Sequence, residues 1–371
     1  TVYVLRCSYV LEWAEYYYGW GTYYFVIVFI MTKVKQCPIC HSEKLFFNIE
    51  YDNTYWPDID LFDKLEIISC KSCGFSFSWP ELSDSDVDLF YESYYRGKGS
   101  PFYINFAKLK ESFRLSSRSL AQVLLSKQFI NFKEKDVFLD IGPGDGSSFM
   151  VARNSLLNPK MYAVELNEGS SIAYKKVYGI STFKNLEEVE RSNIKAKIIL
   201  LSHSLEHIKL SQLSYLLEMI GKIIDNEGAM LIEVPLVDMR KHKLIRSQDA
   251  PHFLFFSKDS IKILLEKHGW KIIFCNSVSK EYSSYSVYKK SQKTFFIKLI
   301  AKIVNKAVRI LPLSAVRILS RCINKMAIDE QFSYGGDRMC LRVVATLDKK
   351  SLNLIIPLSS LLITFPMLLV M

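Results

Sequence analysis

From Asp136 onward, short apolar runs alternate with segments whose apolar residues recur at helical spacing. Seven runs read as strands: Val137–Ile141, Lys160–Leu166, Ser181–Lys184, Lys197–Ser202, Ala229–Val234, Lys271–Ser277 and Cys340–Thr346. Between them, Leu213–Ile224 and Lys258–Lys267 read as amphipathic helices. Strands that alternate with helices build a parallel sheet covered on both faces. Upstream the pattern differs. Leu45–Ile49 and Leu65–Ser69 read as short strands of a small unit, and Ser83–Tyr95 as a capped acidic helix ending in tyrosines. Phe102–Lys127 follows a Gly/Ser break and reads as a helix lying against the larger domain.

The two ends depart from this pattern. Residues 1–30 are crowded with Tyr, Trp and Phe, and Tyr16–Thr32 carries no charge. That run lacks a basic flank and a small-residue cleavage site, so a signal peptide fits poorly, and it is short for a spanning helix. The reading places the natural start at Met31. Leu352–Met371 is uncharged and long enough to span a bilayer, but Pro357 and Pro366 interrupt it. The expected units are therefore 1–30 (extension), 31–82 (small domain), 83–130 (helical linker), 131–348 (α/β domain) and 349–371 (apolar tail).

The formal net charge is +10. Ten Lys or Arg and no Asp or Glu lie between Tyr282 and Ala327, so the remainder is nearly neutral. A nucleic-acid partner is not expected; one local basic surface is. It falls in a helical insert, 282–330, ahead of the last strand. There Lys298, Lys302, Lys306 and Arg309 share one face, opposite Ile297, Ile300, Ala301, Val304 and Val308. Such a helix lies in an anionic membrane interface, or serves as a lid or dimer helix with a solvated basic face. The protein is expected to be cytoplasmic, with peripheral membrane contact open.

Of eight cysteines, four form two C-x-x-C pairs, Cys37/Cys40 and Cys70/Cys73, separated by 29 residues. Two such knuckles read as a closed four-thiolate zinc ribbon, a structural site in a reducing compartment. So small a unit has little core, and metal would supply much of its folding energy. The alternative is a pair of redox dithiols.

The stretch VFLDIGPGDGSSF, Val137–Phe149, is the centre of the chain. An apolar strand ends in Asp140; Gly142, Gly144 and Gly146 follow on alternate positions; a helix opens at Ser147. The glycines permit positive φ and close ligand approach, and the helix start supplies free N–H groups. The dinucleotide fingerprint G-x-G-x-x-G is not matched, because the third glycine comes one position early. A carboxylate at a strand end needs a polar partner, which a ligand bearing an amino group or hydroxyls would supply. Glu165, about twenty residues on, is placed to take ribose hydroxyls; a helix cap is the alternative. The motif resembles motif I of the class I S-adenosylmethionine-dependent methyltransferases. The resemblance implies a seven-stranded, mostly parallel Rossmann-like sheet of the α/β class and S-adenosylmethionine as cofactor. It implies Asp140, Gly142, Gly144, Gly146 and Glu165 as cofactor contacts, Asn185 and Leu186 at the adenine edge, and Ser202 and His203 beneath the methionine part.

The segment H-S-L-E-H-I, His203–Ile208, follows the fourth strand. It puts two histidines and a carboxylate at the expected pocket mouth, and a histidine is the natural general base near neutrality. Glu206 would hold a substrate hydroxyl or tune His207; alternatively both only cap the next helix. With I-E-V-P at Ile232–Pro235 and P-H-F-L-F-F-S at Pro251–Ser257, this stretch resembles methyltransferases with an N-terminal four-cysteine zinc domain. That group is similar to the C-methyltransferases of deoxysugar biosynthesis, over about Lys35–Asp348. The resemblance implies His207 as base, Glu206 as a sugar contact, a linker tyrosine (Tyr94 or Tyr95) near the substrate, and a small-molecule acceptor. Ser204 departs from it, standing where the sugar enzymes carry a tyrosine, and so does the basic insert. His252 lies in a family motif without a role. Competing readings are O-methylation of a lipid or quinone-like acceptor at a membrane surface, and a zinc-ribbon binding module fused to an idle Rossmann-like domain.

Overall fold

The structure is a computed structural model that describes residues 34–54, 56–97, 100, 103, 117–240, 250–278 and 340–348. The extension 1–30, the whole basic insert 282–330 and the apolar tail lie outside the described residues. Among those described, no helix is long and apolar enough to cross a membrane.

The chain begins with strands β1 (Leu45–Glu50), β2 (Glu66–Cys70) and β3 (Ser76–Trp79) and the short helix α1 (Asp84–Leu89). Ser83 caps α1 by accepting from the Asp86 N–H at 3.1 Å, and a π-helical turn, Phe90–Tyr95, continues it. Next come α2 (Ser117–Phe129), β4 (Val137–Ile141), α3 (Ser147–Ser155), β5 (Lys160–Val164), α4 (Glu168–Tyr178), β6 (Ser181–Phe183) and α5 (Leu186–Arg191). The remainder is β7 (Ala196–Ser202), α6 (Leu213–Ile223), β8 (Ile224–Pro235), β9 (Leu254–Phe255), α7 (Lys258–Lys267), β10 (Trp270–Val278) and β11 (Cys340–Leu347).

All seven expected strands of the large sheet form, in the order β6-β5-β4-β7-β8-β11-β10. The pairs from β6 through β8 are parallel; β11 runs antiparallel between β8 and β10. The central strands read as continuous apolar runs because both faces are covered; in β7 every residue but the last is buried. The strand order reverses at β4, whose neighbours are β5 on one side and β7 on the other. A crevice therefore opens at the carboxyl end of β4, where ligands of open α/β sheets bind.

Two expectations change. The second strand stops at Val164, so Glu165 stands just beyond the sheet. The small N-terminal unit is not poor in core. Its antiparallel sheet, β1-β2-β3-β9, takes its fourth strand from the P-H-F-L-F-F-S segment of the large domain. Cys37, Trp56, Phe62, Phe75, Phe77 and Phe90 are buried in one cluster with Leu205, Phe253, Phe256 and Trp270. The two units share that core. Polar ties reinforce it: Tyr51 Oη donates to the His252 carbonyl (2.8 Å), and Arg240 joins the Ser72 carbonyl to Asp238 and Asp259.

Candidate active site

The turn after β4 is built by three left-handed glycines, Gly142, Gly144 and Gly146, with φ of +69°, +62° and +75°. The last two differ in what surrounds them. A Cβ on Gly146 would stand 2.5 Å from the Tyr178 ring, whereas one on Gly144 would meet nothing within 4 Å. Gly146 is therefore required by packing, and Gly144 opens onto the crevice. From α4, Tyr174 donates to the Gly144 carbonyl and Tyr178 to that of Asp145 (2.9 Å), fixing the turn from below.

Asp140 is 1% exposed. Its Oδ2 accepts from Ser148 Oγ, and its Oδ1 has no partner. Burial raises its pKa to about 7, with the Ser148 hydroxyl opposing. An orphaned carboxylate oxygen at a strand end fits a ligand that donates hydrogen bonds there. Glu165 keeps its Oε1 on the Asn167 N–H (3.0 Å) and its Oε2 on Tyr174 Oη (3.2 Å); burial raises its pKa as well. Asn185 Oδ1 accepts from the Glu188 N–H (3.0 Å) and caps α5. Leu186 is buried. Ser202 Oγ accepts from Gln122 Nε2 (2.7 Å), a residue of α2 that sequence reasoning did not single out.

Beyond β7 the chain turns sharply at His203, a non-glycine residue at φ +54°. Ser204 packs beneath the glycine turn, its Oγ donating to the Ile141 carbonyl (2.7 Å). A one-turn helix, Leu205–His207, then presents Glu206 and His207. The His207 Nδ1 lies 2.9 Å from Tyr91 Oη and 3.4 Å from the Pro251 carbonyl. Desolvation, and next the His252 imidazole with its centroid 4.9 Å away, lower its pKa to about 3. Tyr95 stacks at a tilt on the same ring, centroids 6.0 Å apart, whereas Tyr94 is 46% exposed. Tyr91, half-buried among Phe90, Tyr95 and His207, is the linker tyrosine that meets the histidine. Its signal was the spacing Tyr91/Tyr95, which puts both on one face of a helical turn.

Glu206 does not bond to His207. Its Oε1 lies 3.1 Å from His203 Nδ1, and its buried Oε2 has no partner. His203 Nε2 lies 3.5 Å from Oε1 of Glu233, which is 0% exposed on β8. Arg342 of β11 holds the other Glu233 oxygen, Nε and Nη2 each at 2.6 Å, and Arg118 Nε of α2 lies 3.3 Å from Oε1. His203 therefore belongs to an ion cluster behind the acceptor side, a surrounding the sequence reading did not foresee. A carboxylate and a guanidinium inside otherwise apolar strands, I-E-V-P and C-L-R-V-V-A, were the available signal.

The four knuckle cysteines converge. Sγ of Cys37 and Cys73 are 3.7 Å apart, and those of Cys40 and Cys70 3.5 Å. Four sulfurs at about 2.3 Å from one tetrahedral ion stand roughly 3.8 Å apart, so the residues fit a single metal ion.

Residues 113–273, the segment that carries this crevice, match a family model described as a methyltransferase domain. That segment is a class I S-adenosylmethionine-dependent methyltransferase domain. No curated protein matches the sequence. Solved structures similar to the methyltransferase include the cyclopropane synthase MmaA2 of Mycobacterium tuberculosis, at 12% identity over 66% of this chain and 99% of that one, TM-score 0.39. A SAM-dependent methyltransferase from Archaeoglobus fulgidus is 18% identical over 65% and 99%, TM-score 0.37. Likenesses this distant add nothing to the assignment. What the methyltransferase turn presents to a ligand is its own evidence: an orphaned Asp140 oxygen, an open Gly144 and a carboxylate at position 165.

Proposed function

We propose that this methyltransferase acts on a carbon of a small molecule, a sugar or sugar nucleotide, next to a keto group, with His207 as general base. One observation carries the reading. In this reading His207 Nδ1 carries the proton: it faces the Pro251 carbonyl (3.4 Å), which can only accept, and shares its N–H with Tyr91 Oη (2.9 Å). That tautomer leaves the lone pair of Nε2 free for a substrate proton. Desolvation keeps the ring neutral, and so able to accept, throughout the physiological range. A conjugate acid of low pKa takes a proton reluctantly; the buried Glu206 carboxylate nearby offsets this by stabilising the imidazolium that forms.

In this reading Asp140, Glu165 and the glycine turn hold S-adenosylmethionine, which supplies an activated methyl group when bound. His207 removes the proton from the acceptor carbon. Glu206 Oε2, buried and unpartnered, accepts from an acceptor hydroxyl. Tyr91 and Tyr95 orient the base and help the shared aromatic core exclude water. Zinc on the four cysteines would hold the knuckles that carry β2 and β3. Ser204 leaves room where the sugar enzymes place a tyrosine, so a larger or differently substituted sugar is expected.

The test is exchange at the acceptor carbon. With S-adenosylhomocysteine in place of the methyl donor and deuterated solvent, a panel of keto-sugar nucleotides should contain one that exchanges its proton. His207→Ala should abolish both exchange and turnover while cofactor affinity stays within about twofold. Full activity in His207→Ala would remove the base assignment; methylation at oxygen without exchange would remove the carbon acceptor.

A further inference from the structure

Of the ion cluster behind the acceptor side only Glu206 has a part in the steps above, yet the cluster's geometry restricts one further residue strongly. His203 is tied to Glu233 twice, by its backbone N–H to the Glu233 carbonyl (2.8 Å) and by its ring. It holds a left-handed backbone that favours glycine, which persists only where the surroundings impose it. The groups that face it are Glu206 on its own loop, Glu233 on β8 with Arg342 and Arg118 behind it, and the Cys340 thiol of β11, 3.9 Å from Nε2. Across Glu206 lie His207 and His252.

Each ring nitrogen of His203 points at a different carboxylate, 3.1 Å from Glu206 and 3.5 Å from Glu233. A neutral imidazole has one donor and one acceptor nitrogen, so one carboxylate would face a lone pair. The doubly protonated ring donates to Glu206 and also sets a positive charge 3.5 Å from Glu233 Oε1, which has no hydrogen-bond partner; the neutral ring would leave Nε2 to accept from the Cys340 thiol. We infer that His203 is a positioning residue: a permanent imidazolium that clamps Glu206 against β8 and keeps that carboxylate charged beside His207. Burial alone would lower the pKa of His203; against it the Cys340, Glu206 and Glu233 partners raise it to about 11. Glu206, which burial would raise, is brought to about 2 by its His203 bond. The clamp depends on the proposed chemistry only in that Glu206 is given work at the acceptor; its geometry does not.

Two experiments on the zinc-loaded full chain test it. The first is a long-range ¹H–¹⁵N histidine spectrum, with His203 assigned by its loss in His203→Gln. His203 should show two protonated nitrogens at pH 8.5 and no titration between pH 6 and 9; a neutral ring at pH 8.5 overturns the proposal. The second is the kcat profile of His203→Gln against pH. Losing the clamp lets burial raise the Glu206 pKa, so the variant should fall at least tenfold below wild type at pH 6 and recover most of the gap by pH 9. A loss that is equal at every pH would mark a merely structural role and overturn the proposal. The spectrum needs no acceptor, so failure of the base assignment and failure of the clamp give separate results.

Discussion

At the scale of single residues, the site is governed by which partner each buried charge has found. Asp140 has one oxygen bonded and one free, and burial holds its pKa near 7. A cationic, hydrogen-bond-donating ligand must meet the carboxylate, so below pH 7 a proton has to leave before binding. S-adenosylmethionine affinity, by calorimetry, should be flat above about pH 7.5 and weaken by about tenfold per pH unit well below 7. Asp140→Asn should remove that dependence and most of the affinity. Tyr91→Phe deletes one hydrogen bond to His207, a contribution of about 1 kcal/mol, and should lower kcat about fivefold with unaltered cofactor affinity. The ion cluster also has a pH signature in stability. The folded pKa of His203 lies above its unfolded value, 6.5 rising to about 11, so its contribution is complete below 6.5 and is lost as pH rises toward 11. Glu206 and Glu233 are shifted the other way, from 4.5 to about 2, and their contributions are complete above 4.5 and lost as pH falls toward 2. Together these three groups stabilise most between about pH 4.5 and 6.5, and a thermal-melt series should decline on either side in wild type and flatten in His203→Gln.

At the scale of elements, the glycine turn separates folding from binding. Gly146→Ala drives a methyl into the Tyr178 ring and strains φ, so it should destabilise the domain by about 2 kcal/mol or more, seen as a lower melting temperature. Gly144→Ala meets no protein atom; its cost should appear mainly as lost cofactor affinity. The spacing of these glycines, the strand before them and the helix after them were all legible in the sequence, because local turn chemistry needs no distant partner. So were the seven strands, whose apolar runs are long enough to be buried on both faces. Less legible was whatever depends on pairing across the chain. The P-H-F-L-F-F-S segment carries no local sign that it adds a strand to the N-terminal sheet, yet Leu254–Phe255 pairs with Ser76–Phe77. Asn185 is expected at the adenine edge; that its Oδ1 also caps α5, accepting from the Glu188 N–H three residues on, was not foreseen. His203 and His207 stand four residues apart with opposite shifts, because the partners of His203, two carboxylates among them, outweigh its burial, whereas at His207 desolvation and next the His252 imidazole prevail.

At the scale of the whole molecule, the four-cysteine unit is a wall of the enzyme. Its strands, β9 and the linker aromatics form one buried cluster that reaches Leu205, immediately before Glu206. The Phe253 N–H donates to the Glu206 carbonyl (2.8 Å), so the same segment that completes the N-terminal sheet also holds the acceptor loop. The metal should therefore matter beyond its own knuckles. The purified chain should contain about one zinc, and its removal by chelation should loosen Tyr91 and Tyr95, dim near-ultraviolet circular dichroism and stop turnover. Cofactor affinity should fall far less, because the glycine turn and Glu165 rest on the second buried cluster, with Phe138, Phe149, Tyr174 and Tyr178.

That separation leads to the most direct test of the central claim, that the β4 turn with Asp140 and Glu165 grips the methyl donor. Calorimetric titration of the full chain with S-adenosylmethionine at pH 7.5 should give one site, weakened at least tenfold in Glu165→Ala and in Asp140→Asn and unchanged in His207→Ala. No binding by the wild type, or full affinity in both carboxylate variants, would contradict the account.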